Sequence, residues 1–131
     1  MTVESGWAPF VVLLDDPVGG GDMRYLLLVC VDEALEPGET PAADPTAWVA
    51  EMEHRGVRQI GNRLRPVRDS TTVRVRDGEV LVADGPFAET KEQIGGFDIL
   101  ECADLDEAIE VASKHPAAAF GTLELRPFWE G

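Results

Sequence analysis

Positive charge is scarce in this chain. Lys and Arg number 11 against 25 Asp and Glu, a formal net charge of −14 over 131 residues. A field of that sign repels phosphates, so the composition argues against nucleic acid and anionic membrane surfaces as partners. Cysteine is rare too, with only Cys30 and Cys102. Each lies in an apolar run, without CxxC spacing or clustered histidines. That pattern excludes a zinc site and predicts two buried free thiols in a reducing cytoplasm. Long apolar runs are missing: none approaches the ~18 residues of a spanning helix. No basic stretch precedes the short apolar run at residues 10–14, so no secretory signal is expected. Phosphate-loop, dinucleotide, nucleophile-elbow and metal-ligand patterns are absent, and the expectation is a protein with no metal and no cofactor.

What is present fits one domain with a sizeable core, since hydrophobic residues make up 44% of the chain. Residues 1–22 read as an extension, flexible or adding an edge strand, broken by Asp15-Asp16-Pro17 and Gly19-Gly20-Gly21. The domain proper is expected over residues 23–131. Residues 24–31 are nearly continuous apolar, the pattern of a central strand. Asp44-Pro45 predicts a helix start, with Asp44 as N-cap and Pro45 at the first helical position. Trp48, Val49 and Met52 form its apolar face and Gly56 its stop. Residues 57–64 read as a second strand. Residues 71–75 and 79–83 flank Arg76-Asp77-Gly78, a hairpin signal. After a strand at 97–102, Asp104 and Glu107 stand at capping-box spacing. Leu105, Ala108, Ile109 and Ala112 then recur as one helical face. Residues 120–126 read as a last strand.

The order β-α-β, hairpin, β-α-β predicts an α+β fold of the ferredoxin-like split βαβ type with an inserted β-hairpin. Its helices would cover one sheet face only. A second copy is the simplest cover for the other, so a homodimer is expected.

Residues 84–97, Asp-Gly-Pro-Phe-Ala-Glu-Thr-Lys-Glu-Gln-Ile-Gly-Gly-Phe, are richer than a simple reversal requires. Asp84, at a strand end, suits a general base or a ligand-orienting carboxylate; the competing role is to accept N–H bonds from its own turn. Gly85, Pro86 and Phe87 could line a substrate pocket or act as backbone and packing devices. His115 can exchange a proton near neutral pH. It could equally be a helix C-terminal histidine, partly charged under the helix dipole. Asp44 is either an orienting group or simply a cap. Arg63 and Arg65 could gather a carboxylate ligand or pair with surface acids. Gly95-Gly96 permits close approach or a bulge.

Residues 70–92, together with Ile94-Gly95-Gly96-Phe97, resemble the YCII-related family in the branch named for its Asp-Gly-Pro-Phe motif. Met23-Arg24-Tyr25-Leu26-Leu27-Leu28 is similar to the family's opening strand, and His115-Pro116 and Leu125-Arg126-Pro127-Phe128 extend the likeness across residues 23–128. The resemblance implies a dimeric α+β barrel of ferredoxin-like subunits. It also implies small-molecule acid–base chemistry, a lyase or hydrolase acting on an organic acid or lactone, as in dehydrochlorination of a muconolactone-type compound. A His–Asp pair is the proposed centre of the wider family. Here the two types stand exchanged, as Asp44 beside Pro45 and His115 before Pro116, so the resemblance implies an Asp44–His115 pair; with Asp84, singled out by its place at the strand end, the candidate catalytic residues are Asp84, His115 and Asp44. The alternative is a non-catalytic dimeric module that binds a metabolite.

Overall fold

The computed structural model describes residues 23–34 and 44–129, so the expected extension at 1–22 lies outside the described residues. The strands are β1 (Met23–Val31), β2 (Arg58–Arg63), β3 (Thr71–Arg76), β4 (Glu79–Asp84), β5 (Gln93–Cys102) and β6 (Thr122–Pro127). Helix α1 (Thr46–His54) follows β1 and α2 (Leu105–Ser113) follows β5, with short 3-10 segments at Val67–Asp69 and Pro116–Ala119. Four strands form one antiparallel sheet in the order β2-β5-β1-β6. Each β-α-β unit is therefore split by a strand of the other, which is the ferredoxin-like arrangement expected from the element order.

Alternation along the strands sends one set of side chains toward the helices. Tyr25, Leu27, Leu100 and Cys102 meet Trp48 and Met52 of α1 and Ala108, Val111 and Ala112 of α2, with Val57 closing the cluster. Trp48 Nε1–H donates to the Val111 carbonyl at 2.9 Å and so ties α1 to α2. Arg55 adds a bridge to Glu107 and Glu110. The buried stripe of α2 is turned by one residue from the expected face. Leu105 and Ile109 are each 51% exposed, while Val111 is fully buried. The small side chains of Ala108 and Ala112 let the helix approach the sheet, and the larger Leu105 and Ile109 splay to its flank. No described helix packs on the opposite sheet face, which carries Leu26, Leu28 and Phe97.

The caps work as their chemistry demands, with shifts of one residue. Asp104 accepts from Glu107 N–H at 2.9 Å, and the Glu107 carboxylate accepts from Ala103 N–H rather than from the cap residue itself. At α1 the N-cap position falls on Pro45, and Asp44 accepts from both the N–H and the hydroxyl of Thr46. Gly56, at φ +73°, follows the end of α1 as the glycine stop requires.

Among the described residues, strands β3 and β4 pair only with each other. Asp77 and Gly78 both have positive φ, 52° and 77°, as a type I′ turn needs. Val73 faces Val82 and Val75 faces Val80, and these four side chains are 58–65% exposed. At its base the hairpin is fastened by Gly85 N–H to the Ser70 carbonyl and by the Thr72 hydroxyl to the Gly85 carbonyl.

Candidate functional site

A cavity of about 900 Å³ opens between the start of α1, the helix-facing side of β2 and β5, and the turn after α2. That volume suits a small organic ligand. Glycine makes the room. β1 and β5 slip register between Val29 and Cys30, leaving Gly95 as the extra residue of a bulge. On the same face Gly61 lies opposite Asp98, and Gly96 opposite Arg63. A Cβ on Gly61 would stand 2.1 Å from Asp98 Oδ1 and 2.6 Å from the Phe97 carbonyl oxygen. Only glycine therefore leaves space for the side chains beside it.

Those side chains form an ion pair in the cavity wall. Arg58 Nε donates to Asp98 Oδ1 at 2.6 Å, and Arg58 Nη1 reaches Glu53 at 2.7 Å. Asp98 is buried, with 6% of its surface exposed. Burial pushes its carboxyl above the usual carboxylate range, and Arg58 opposes that rise. Sequence reasoning passed over Asp98. Its signal was a lone acid inside an apolar strand, Gly96-Phe97-Asp98-Ile99-Leu100. Buried charge is rare unless paired or used.

His115 lies at the opposite wall, 7% exposed, its ring meeting Trp48 edge-on at a centroid distance of 4.7 Å. It directly follows Lys114, the C-cap of α2, and its N–H donates to the Ala112 carbonyl at 3.0 Å, as a helix C-terminal residue does. It caps the 3-10 segment Pro116–Ala119, and its Nδ1 accepts from Ala117 N–H at 3.0 Å. Burial pushes the imidazole below its ordinary range, toward the neutral form. With the Nδ1 lone pair engaged, the neutral ring carries its proton on Nε2. No described group accepts from Nε2, and His115 borders the cavity. The side chain thus presents a hydrogen-bond donor to whatever enters.

Asp44 borders the same cavity. Its carboxylate is held by Thr46, which lowers its pKa, and makes no hydrogen bond to His115. Arg63 and Arg68 also border it, and neither has a side-chain partner among the described residues. Arg65 points elsewhere, its side chain 86% exposed and paired with Asp69 at 3.0 Å. Asp84, Gly85 and Pro86 border a second, smaller hollow of about 450 Å³, and Phe87 is 80% exposed. The Asp84 side chain accepts no hydrogen bond from its turn among the described residues. His115 and Asp84 therefore do not share a cavity, and Arg68 borders both.

Fold and site together define a small split βαβ domain with a ligand-sized cavity on the helix side of its sheet. The chain belongs to the YCII-related family, whose domain matches residues 23–130. It is similar to an uncharacterised protein of Rhizobium meliloti (strain 1021), at 48% identity over an alignment of 122 positions that covers 80% of this chain and 91% of the relative. No described helix is long and apolar enough to cross a membrane.

Proposed function

We propose that the cavity binds a small organic acid or lactone and that the protein is a small-molecule enzyme of the lyase or hydrolase type, working by acid–base chemistry without a cofactor. One observation carries this. In a chain of net charge −14, two arginines without partners among the described residues border the same cavity as an imidazole with an unengaged N–H. Arg63 and Arg68 are the anchors for a carboxylate. His115 Nε2–H donates to a second oxygen of the ligand and stabilises negative charge that develops there. Asp44, at the rim, orients the ligand's polar groups. The Asp-Gly-Pro-Phe segment supports placing the chain in the branch of the family named for it. Asp84, Gly85 and Pro86 then shape the neighbouring hollow, where Arg68 joins the two spaces.

The functional unit is a homodimer that closes as an α+β barrel. Two features support it: a sheet face with no described helix on it, and a valine-faced hairpin that is marginal on its own. Two free thiols support a reducing, cytoplasmic setting.

The alternative is a metabolite-binding module without catalysis. It is favoured by the absence of a hydrogen bond between Asp44 and His115, the pair a dyad would need. Titration calorimetry with small carboxylates, and turnover assays with lactones and halogenated acids, separate the readings. The Arg63→Gln/Arg68→Gln double variant should bind carboxylates at least about tenfold more weakly, since a charge-assisted hydrogen bond contributes about 1.5–3 kcal/mol. Equal binding in the two proteins removes the arginines from the site. Binding without turnover of any lactone or acid leaves the module.

A further inference from the structure

We propose that an organic acid entering the cavity brings a proton with it, and that Asp98 is the group that takes the proton up. This rests on the occupancy proposed above and goes beyond it by assigning the proton carrier.

Among the described residues four carboxylates border the cavity, from Asp32, Glu33, Asp44 and Asp98, against three guanidiniums, from Arg58, Arg63 and Arg68, and a histidine. Arg58 is already engaged by Asp98 and Glu53. A bound anion therefore adds negative charge to a space with a surplus of it. The cheapest relief is to protonate the carboxylate least able to draw on water. Glu33 is exposed and accepts from Val67 N–H. Asp32 accepts from Ala34 N–H, and Asp44 is exposed and held by Thr46. Each of these has a hydrogen-bond donor on its carboxylate, and none is as deeply buried as Asp98. Among the described acids that border the cavity, Asp98 alone is more than nine-tenths buried.

The local geometry permits the step. Arg58 Nε occupies Oδ1, and no described group donates to Oδ2. No buried polar side-chain atom among the described residues is left without a partner, so Oδ2 retains contact with the open space beside it. Antiparallel register puts Arg63 opposite Gly96, one pleat period along β5 from Asp98 and on the same face. That period is about 7 Å, close enough for an anion on Arg63 to act on Asp98 through low-dielectric surroundings. The glycines at 61 and 96 leave no side chain between them. The balance is simple: ligand anion, ionised Asp98 and a proton from buffer give the complex with Asp98 as carboxylic acid, Oδ2 carrying the proton and Oδ1 still bonded to Arg58. In that form Asp98 is a proton donor beside the ligand.

Calorimetry of acetate, lactate and benzoate binding in Mes and bis-Tris at mildly acid pH tests this. The observed enthalpy should differ between buffers by an amount that reports uptake approaching one proton per ligand. Affinity should fall by up to about tenfold per pH unit through the coupled range. Asp98→Asn, which keeps an acceptor for Arg58, should bind with the same enthalpy in both buffers, and His115→Gln should retain the buffer dependence. In the wild type, carbon-13 titration should place the Asp98 carboxyl higher with benzoate bound than without it. Uptake that persists in Asp98→Asn, or that disappears only in His115→Gln, overturns the assignment. Binding without uptake overturns it while leaving the site intact. No binding of any of the three acids overturns both.

Discussion

Gly61→Ala is the sharpest perturbation of the cavity floor. The added Cβ meets Asp98 Oδ1 at 2.1 Å, Arg58 Nη2 at 2.6 Å and the Phe97 carbonyl oxygen at 2.6 Å, where real contacts essentially never fall below 3.0 Å. The two side chains can move, but only by giving up a paired geometry in a place where both are mostly buried. The carbonyl belongs to β5, at the centre of the sheet beside β1, and moves only with the ladder. Overpacking of this kind costs about 1–3 kcal/mol, and outright loss of one partner of a buried pair costs about 3–5 kcal/mol. Against this, alanine in place of glycine in a strand recovers about 0.5–1 kcal/mol. A net loss of about 1–3 kcal/mol follows, a fall of roughly 1 M in the urea midpoint with unchanged slope. Urea unfolding followed by Trp fluorescence measures it. The same substitution in an Asp98→Ala background should cost less, because its nearest obstacle is gone. An unchanged midpoint in Gly61→Ala refutes the close-packed floor. An equal loss in both backgrounds shifts the clash from the ion pair to the strand backbone.

Two further outcomes follow from titrating groups. His115 is held below its unfolded value of 6.5, so as pH falls below that value the unfolded chain binds a proton that the folded protein does not. Stability should therefore fall with acidification, by at most about 1.4 kcal/mol per pH unit, until the folded imidazole titrates. The difference in melting temperature between wild type and His115→Gln, measured against pH, isolates this contribution, and a flat difference removes it. The Cys102 thiol is pushed up to about 12, first by burial and then by the nearby Glu107 carboxylate. Iodoacetamide at about pH 8 should leave Cys102 unmodified in the native state and label it after unfolding; peptide mapping that finds native labelling contradicts this burial.

The fold was legible where local chemistry is decisive. Asp77-Gly78 demanded a type I′ turn, Asp104 with Glu107 marked a helix start, and the apolar run around Leu27 marked a central strand. Periodicity alone misplaced the α2 face, because a stripe of Leu105 and Ile109 and one of Ala108 and Val111 are equally helical. Which is buried depends on how close the sheet lies. The site was legible only in part. Asp44, Arg63 and His115 do border one cavity, yet the tautomer of His115 depends on a backbone N–H two residues away. Asp98 was hidden because a single acid in a strand gives no clue to its partner, and Arg58 lies 40 positions earlier in the chain. The Asp-Gly-Pro-Phe segment stood out by composition, although composition cannot say which hollow a bend will face.

The projecting hairpin has a consequence of its own. Among the described residues no backbone hydrogen bond ties its tip at Asp77-Gly78 to the four-stranded sheet, so a change of tip length should leave the packed layers undisturbed. A fluorophore inserted there sits beside the exposed valine ribbon and would change its emission if a second surface were to cover those side chains.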